Sequence, residues 1–409
     1  MRVLWISNIL FDDVANALCI KPSVAGGWMQ SLLQILKSNI DIGVVALHTT
    51  FFSQCINGVK YYAINSVDNK IWGKILDDFK PDLIHFHGTE YPHTLKIYYL
   101  SKGIPCVASI QGLISVYARY ALGGMNYKEI LYKMTLKDVL LKSGPLNIQR
   151  GQCMRGKSER KLISKLKYVI GRTEWDSNHS FAMNPSIQYY KCNEVIRSNF
   201  YDGEWNPENM VQHTVFCCNS SVPLKGVHQL LKALYIVKRT FPNVRLRIVG
   251  KNILGKLSVK DRLRMSGYDK YLRALIYKLG LENNVIFLGA LNADSMKKEF
   301  LKTNVFVLPS AIENSPNSLA EAQLLGVPIV ASYVGGVPDM MPYPLSDYLY
   351  RFEEIEMLAQ KILKVFCQKE WTGYINYVRQ IAQKRHNKEQ IKIDMITIYE
   401  DILRKERKA

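Results

Sequence analysis

The chain has 409 residues, 48% hydrophobic and 22% charged, with 54 Lys and Arg against 35 Asp and Glu for a net charge of +19. This composition excludes a disordered or collagen-like chain, provides length for two or three domains, and favours polyanionic partners: nucleic acid, an anionic membrane face or phosphorylated ligands. Eight cysteines, at 19, 55, 106, 153, 192, 217, 218 and 367, form no Cys-x-x-Cys pair or Cys/His cluster, so neither zinc nor a disulfide framework is expected and a reducing cytosol fits.

From the amino end, "MRVLWISNIL" reads as a strand rather than a leader, because Asp12 and Asp13 follow at once and no small-residue cleavage site is present. No run reaches the ~18 apolar residues of a membrane span, so a soluble or peripheral protein is expected. Buried strands are predicted at 2–7, 42–47, 82–87, 105–110 and 167–172, and again at 214–219, 245–250, 285–289, 305–310 and 328–333. Near-continuous apolar runs separated by helical stretches specify parallel sheets with both faces covered. Two such series specify an α/β protein of two doubly wound, Rossmann-like domains, with ligands at the carboxyl ends of their strands. The polar stretch "NFYDGEWNPENM" (199–210) divides them into an amino-terminal domain of 1–200 and a carboxy-terminal domain of 201–385. Residues 386–409 read as a final helix with apolar positions at Ile391, Met395, Ile398 and Ile402.

The candidate site residues follow the strands. Gly26 and Gly27 open a helix after a long lead-in, "FDDVANALCIKPSV", and could let backbone N–H groups approach a phosphate, although glycine turns are common. His87 and Gln111 each end a strand before a glycine. His87 is a candidate sugar contact or a satisfied core histidine, and Gln111 can hydrogen-bond a hydroxyl but cannot transfer a proton. Between Arg119 and Arg172 thirteen basic residues stand against three acidic ones, interleaved with Ile130, Leu131, Met134 and Val139. Such a segment suits an anionic membrane surface, or simply a solvated basic face. Thr173 and Asp176 read as a helix cap, with Arg172 before them a candidate for the acceptor side. Lys225, in "PLKG", follows the first strand of the second series and could reach a phosphate.

The richest stretch is "PSAIENSPNSLAEAQLLGVPIVASYVGG" (309–336). Ser315 suits an N-cap with Pro316 at the first helical position, and Gly326 a C-terminal cap. Glu313 then lies before the helix and Glu321 within it, beyond the first turn. Free amides around Asn317, Ser318 and Leu319 form an anion site suited to phosphate. Carboxylates repel phosphate, so the two glutamates are assigned to hydroxyls, and a diphosphate between two polyols is a nucleotide sugar.

The motifs "HFHGTEYPH", "SIQGLISVY", "GRTEWD", "PLKG" and "IENSPNSLAEA" resemble those of retaining GT-B glycosyltransferases, family 4 (group 1), in a bacterial subgroup that assembles surface and capsular polysaccharides. The resemblance extends over nearly the whole chain. It implies that the two domains face across a cleft and that the final helix crosses back toward the first. Glu313, the first acid of a Glu-x7-Glu pair, would contact the transferred sugar and Glu321 the ribose. Asn314, Asn317, Ser318 and Leu319 would present donors to the diphosphate and sugar, Lys225 would bind the diphosphate, and Gly26 and Gly27 would abut it. An Arg is usual where Ser220 stands, so more charge falls to Lys225. The base is read by loops after 245–250, Gly250 included, and after 285–289.

By resemblance the acceptor is a glycan, often lipid-linked, and the enzyme would sit in the cytoplasm against the inner face of the plasma membrane. Transfer would be same-face, with the departing nucleotide diphosphate taking the proton. No Asp-x-Asp signature is present, so no metal is expected, and no cofactor beyond the nucleotide-sugar donor. Competing readings are a nucleotide-sugar epimerase or phosphorylase on the same fold, a basic nucleic-acid-binding protein, for which no module signature is visible, and a catalytically silent scaffold. Oligomeric state is not legible.

Overall fold

The computed structural model describes residues 1–21, 26–256, 258 and 263–408, with the side chains of 131–133, 136 and 139 outside the described set. Part of the lead-in before Gly26 and the side chains of Leu131 and Val139 therefore fall outside the described residues.

Strands β1 (Arg2–Ser7), β2 (Asp41–Leu47), β3 (Phe52–Ile56), β4 (Val59–Ile64), β5 (Leu83–His87), β6 (Cys106–Ser109), β7 (Tyr168–Gly171) and β8 (Gln188–Lys191) form one sheet in the order β3-β4-β2-β1-β5-β6-β7-β8. Among the described residues of this sheet only the β3–β4 hairpin is antiparallel. Strands β9 (Thr214–Cys217), β10 (Arg245–Ile248), β11 (Val285–Phe287), β12 (Val305–Leu308), β13 (Ile329–Ser332) and β14 (Leu349–Tyr350) form a second, parallel sheet in the order β11-β10-β9-β12-β13-β14. All ten apolar runs singled out in the sequence are strands. Val3, Leu4, Trp5, Val215, Phe216, Phe306 and Val307 show why, since each is essentially inaccessible on either face of its sheet.

In each sheet the strand order reverses beside the first strand of the series, between β1 and β5 and between β9 and β12. The loops leaving those strands part at that point and open a crevice at their carboxyl ends.

The chain divides into two compact units, Met1–Ser115 with Met154–Arg197 and Arg385–Ala409, and Val116–Cys153 with Ser198–Lys384. A cut at residue 200 separates the sheets but misplaces 116–153, which belong with the second unit. The buried His228 explains this: its Nε2 lies 2.8 Å from the Gly123 carbonyl and its Nδ1 3.0 Å from the Tyr268 hydroxyl. Asp138, fully buried, accepts from the Thr135 hydroxyl at 2.8 Å and the Gly267 amide at 2.8 Å.

The last helix, Lys388–Glu406, completes the first unit. Ile391, Met395, Ile398 and Ile402 are buried in one core with Val3, Trp5 and Leu32, Leu33 and Leu36 of the helix Gly27–Leu36. Each such side chain contributes about 1.5–3 kcal/mol.

Candidate functional site in the second unit

The crevice at the β9/β12 reversal is built by two loops that hold each other. The loop after β9 closes on a short 3₁₀ turn, Pro223–Lys225, and Gly226 caps the helix Val227–Thr240 in the left-handed conformation (φ 68°). The loop after β12 runs from Pro309 to Ser315. The Ala311 amide donates to the Leu224 carbonyl at 2.8 Å. A Cβ at Gly226 would stand 1.7 Å from the Pro309 carbonyl oxygen, so only glycine permits this approach.

Glu313 is 7% exposed and held at both ends. Its Oε1 accepts from the Ser310 hydroxyl at 2.7 Å and lies 2.5 Å from Lys225 Nζ. Its own carbonyl accepts from the Gly336 amide at 3.0 Å, while a Cβ at Gly335 (φ 52°) would come within 1.8 Å of that oxygen. The "GG" of the long motif is thus a clamp on Glu313. The Lys225 side chain keeps 29% of its surface exposed, and an ammonium has three protons, so pairing with Glu313 leaves donors for a second anion.

The helix starts one residue later than the sequence predicts. Pro316 is the N-cap (ψ 123°) and Asn317–Leu325 the helix, ending on Gly326 (φ 80°). Proline has no acceptor in its side chain, so no side-chain hydrogen bond caps the helix. Ser315, expected to do so, instead directs its hydroxyl at Met340 Sδ, 3.6 Å away. The amides of Asn317 and Ser318 are left to the crevice. A cavity of about 230 Å³ brings together Cys217, Cys218, Asn219, Lys225, Ser310, Glu313, Asn317 and Ser318. A larger cavity, about 530 Å³, lies in the first unit beside Asp82, Pro105 and Tyr168. These are the amino ends of β5, β6 and β7, the wrong end for a ligand crevice.

Other expected donor residues are packed around this cavity rather than lining it. Asn314, Leu319 and Glu321 are buried at 1%, 0% and 3% exposure. Glu321 is thus no solvated helix acid. Ser220, also buried, lies against Gly250: a Cβ there would stand 2.2 Å from the Ser220 hydroxyl oxygen. Gly250 in turn exchanges two backbone hydrogen bonds with Gly289, at 3.0 and 3.1 Å, tying together the loops after β10 and β11. Ser310, Gly226 and Gly335 were missed by the sequence reading. The signals were present in "VLPS", "KG" and "GG"; the partner of Ser310 lies 3 residues away, but those of Gly226 and Gly335 lie 83 and 22 residues away and cannot be inferred from local pattern.

In the first unit Gly26 is the N-cap (φ 85°) of the helix Gly27–Leu36. His87 closes β5, 3% exposed. Arg172 is not an open acceptor contact. It is buried, its Nη1 pairs with Glu194 at 2.6 Å, and its Nη2 reaches the Ile110 carbonyl and, at 3.4 Å, the Gln111 side-chain oxygen. A guanidinium so engaged braces β6 against β7. Thr173 and Asp176 form a full capping box, the shorter acid sufficing.

Residues 205–385 match the family model of glycosyl transferases group 1. The chain is 26% identical over 177 residues to an uncharacterized glycosyltransferase of Methanocaldococcus jannaschii, covering 43% of this chain and 41% of that one. It is 27% identical over 159 residues to a GDP-mannose-dependent monoacylated alpha-(1-6)-phosphatidylinositol monomannoside mannosyltransferase of Corynebacterium glutamicum, covering 37% of each. The chain thus spans about two fifths of the length of the curated relatives it matches. Among solved structures, sucrose-phosphate synthase from Thermosynechococcus elongatus superposes with a TM-score of 0.71 at 14% identity, over 98% of both chains. Anabaena HepE in complex with UDP-glucose does so at 0.67 and 17%, over 98% of this chain and 100% of that one. Residues 205–385 are accordingly similar to glycosyl transferases group 1, within a chain whose two parallel-sheet α/β domains have the GT-B fold.

Proposed function

We propose that the protein is a glycosyltransferase that moves a sugar from a nucleotide-diphosphate sugar to a glycan hydroxyl, with retention and without a metal. The observation that carries this is the Lys225–Glu313 pair set over an uncapped helix start in one cavity. The Lys225 ammonium and the Asn317 and Ser318 amides offer cationic and dipolar stabilisation to a departing diphosphate, in place before the reaction begins. Glu313 has oxygens for sugar hydroxyls, and Ser310 and Gly336 fix its position so that little reorganisation is needed. Glu321, buried behind the helix start, is assigned to the ribose. Gly26 and Gly27 are assigned to the diphosphate, and His87 and Gln111 to sugar or acceptor. The nucleotide diphosphate takes the acceptor proton as it leaves.

The acceptor is proposed to be lipid-linked, in bacterial surface polysaccharide synthesis, with the protein peripheral at the inner face of the plasma membrane. The Corynebacterium relative is named for a phosphatidylinositol mannoside acceptor, a lipid glycoside. In the 119–172 segment Leu140 and Leu141 are 79% and 67% exposed beside Lys137 and Lys142, and Leu263, 71% exposed, neighbours Arg264, whose carbonyl accepts from Lys137 at 2.8 Å. Leucines rimmed by cations suit an anionic bilayer. No helix among the described residues is long and apolar enough to cross a membrane.

Titration calorimetry with UDP-glucose and GDP-mannose, followed by product analysis, tests the donor assignment. One of the two should bind, and Lys225→Ala should weaken it about 10–100-fold, the value of one or two charge-assisted hydrogen bonds. Glu313→Gln should retain UDP or GDP binding and lose transfer. Wild-type turnover in that variant, or failure of both nucleotide sugars to bind, would remove the reading.

A further inference from the structure

The first unit has its own strand-order reversal, between β1 and β5, and the turn that leaves β5 there carries two side chains with polar atoms that find no partner among the described residues. His87 is 3% exposed, with its ring against His85 (3.9 Å between centroids), Trp5 (4.4 Å) and Trp28 (5.8 Å), yet among the described residues neither ring nitrogen has a partner. Burial holds it well below the ordinary histidine range, so it is a neutral imidazole with one donor and one acceptor to offer. Its neighbour His85 supplies a contrast on the same strand. There, both nitrogens are engaged, with Tyr399 at 2.6 Å and Ser109 at 2.7 Å.

Three residues on, Glu90 folds back over the turn. Gly88 allows this: its φ is 120°, and a Cβ there would stand 2.6 Å from Glu90 Oε2. That oxygen is buried without a partner among the described residues. The nearby Glu159, fully buried, is by contrast saturated, accepting from the Thr89 hydroxyl at 3.0 Å and from the Ile114 and Ser115 amides at 3.0 and 2.8 Å. Glu159 braces the turn, and Glu90 has capacity to spare. Burial, and the Glu159 charge beside it, push the Glu90 carboxyl up to about 7, against the pull of the Glu90 and Thr89 amides and of Arg155.

Leaving buried polar atoms unpaired is costly, so a partner that completes this turn would be favoured. A ligand hydroxyl both donates and accepts, which matches a carboxylate oxygen and a neutral imidazole carried on one turn. We propose that His87 and Glu90 form a hydroxyl-binding subsite in the first unit, in which Glu90 accepts the hydrogen bond of an acceptor-sugar hydroxyl and thereby selects and positions it. The inference rests on the transfer reading for its ligand class, and Glu90 is the residue it adds.

The test uses the full-length protein with ring-labelled histidine, the His87 signals being assigned with His87→Gln. Methyl α-glucopyranoside and methyl α-mannopyranoside are added up to about 0.1 M, weak binding being expected of single sugars. At least one should shift the His87 resonances saturably. Glu90→Ala should weaken that response at least about tenfold, and Glu90→Gln, which keeps an acceptor oxygen and the turn, should restore part of it. A silent His87 with both glycosides, or an equal response in Glu90→Ala, overturns the proposal. UDP binding, measured separately by thermal shift, should be the same in wild type and both variants. Its absence in wild type would count against the donor reading, while the glycoside response would still decide this one.

Discussion

Gly226 and Gly335 decide where the charges of the second-unit site stand, although neither carries one. Each has a positive φ, and each is pressed against a carbonyl oxygen of the loop after β12, Pro309 in one case and Glu313 in the other. An alanine at Gly226 incurs about 1–2 kcal/mol for the left-handed backbone alone and about 1–3 more for the overlap with Pro309. Gly226→Ala should therefore lower Tm by several degrees and weaken nucleotide binding, though it deletes no group proposed to touch ligand. Differential scanning calorimetry with and without UDP checks both. Lys225 and Glu313 were legible in the sequence because each follows a strand at a predictable place. The approach of Gly226 to Pro309 was not, since contacts across many residues leave no local signal. Arg172 shows the converse: its position was correct, but its direction was fixed by Glu194, 22 residues on.

Among elements, the long apolar strands were legible because a strand buried on both faces has no other composition open to it. The missed elements are those with weaker demands. Strand β3 is an edge with three consecutive exposed residues, and β14 has only two residues. The β3–β4 hairpin did leave a mark in Asn57-Gly58, whose φ values of 51° and 81° are those of the two-residue turn such a pair favours. The final helix was read correctly from its periodicity. Ile402, fully buried in the core it shares with β1, gives the check. Ile402→Ala should cost about 2–5 kcal/mol in denaturant unfolding. A change below about 0.5 kcal/mol, the range of surface substitutions, would show that the helix does not seal the first unit.

Over the whole molecule, both sheets place polar groups at the one point where their strand order reverses, Lys225 and Glu313 in one and His87 and Glu90 in the other. A charge of +19 favours phosphorylated ligands, yet the residues proposed to meet the diphosphate include a single cation, Lys225. The excess lies elsewhere, much of it in 119–172. Residues 116–153 also set the size of the second unit: a chain cut to 198–384 would lack the Gly123 carbonyl on His228 and the Asp138 carboxylate on Gly267. It should unfold at lower temperature than the second unit within the intact protein, and adding 116–153 as a separate peptide should raise its Tm.

The last helix has a bearing on how the molecule is made. A ribosome delivers β1 hundreds of residues before Tyr399, whose hydroxyl meets His85, and before Ile402, which covers the same core. The first sheet to be synthesised therefore waits, with the part of its core that this helix covers left open, until Lys388–Glu406 has emerged.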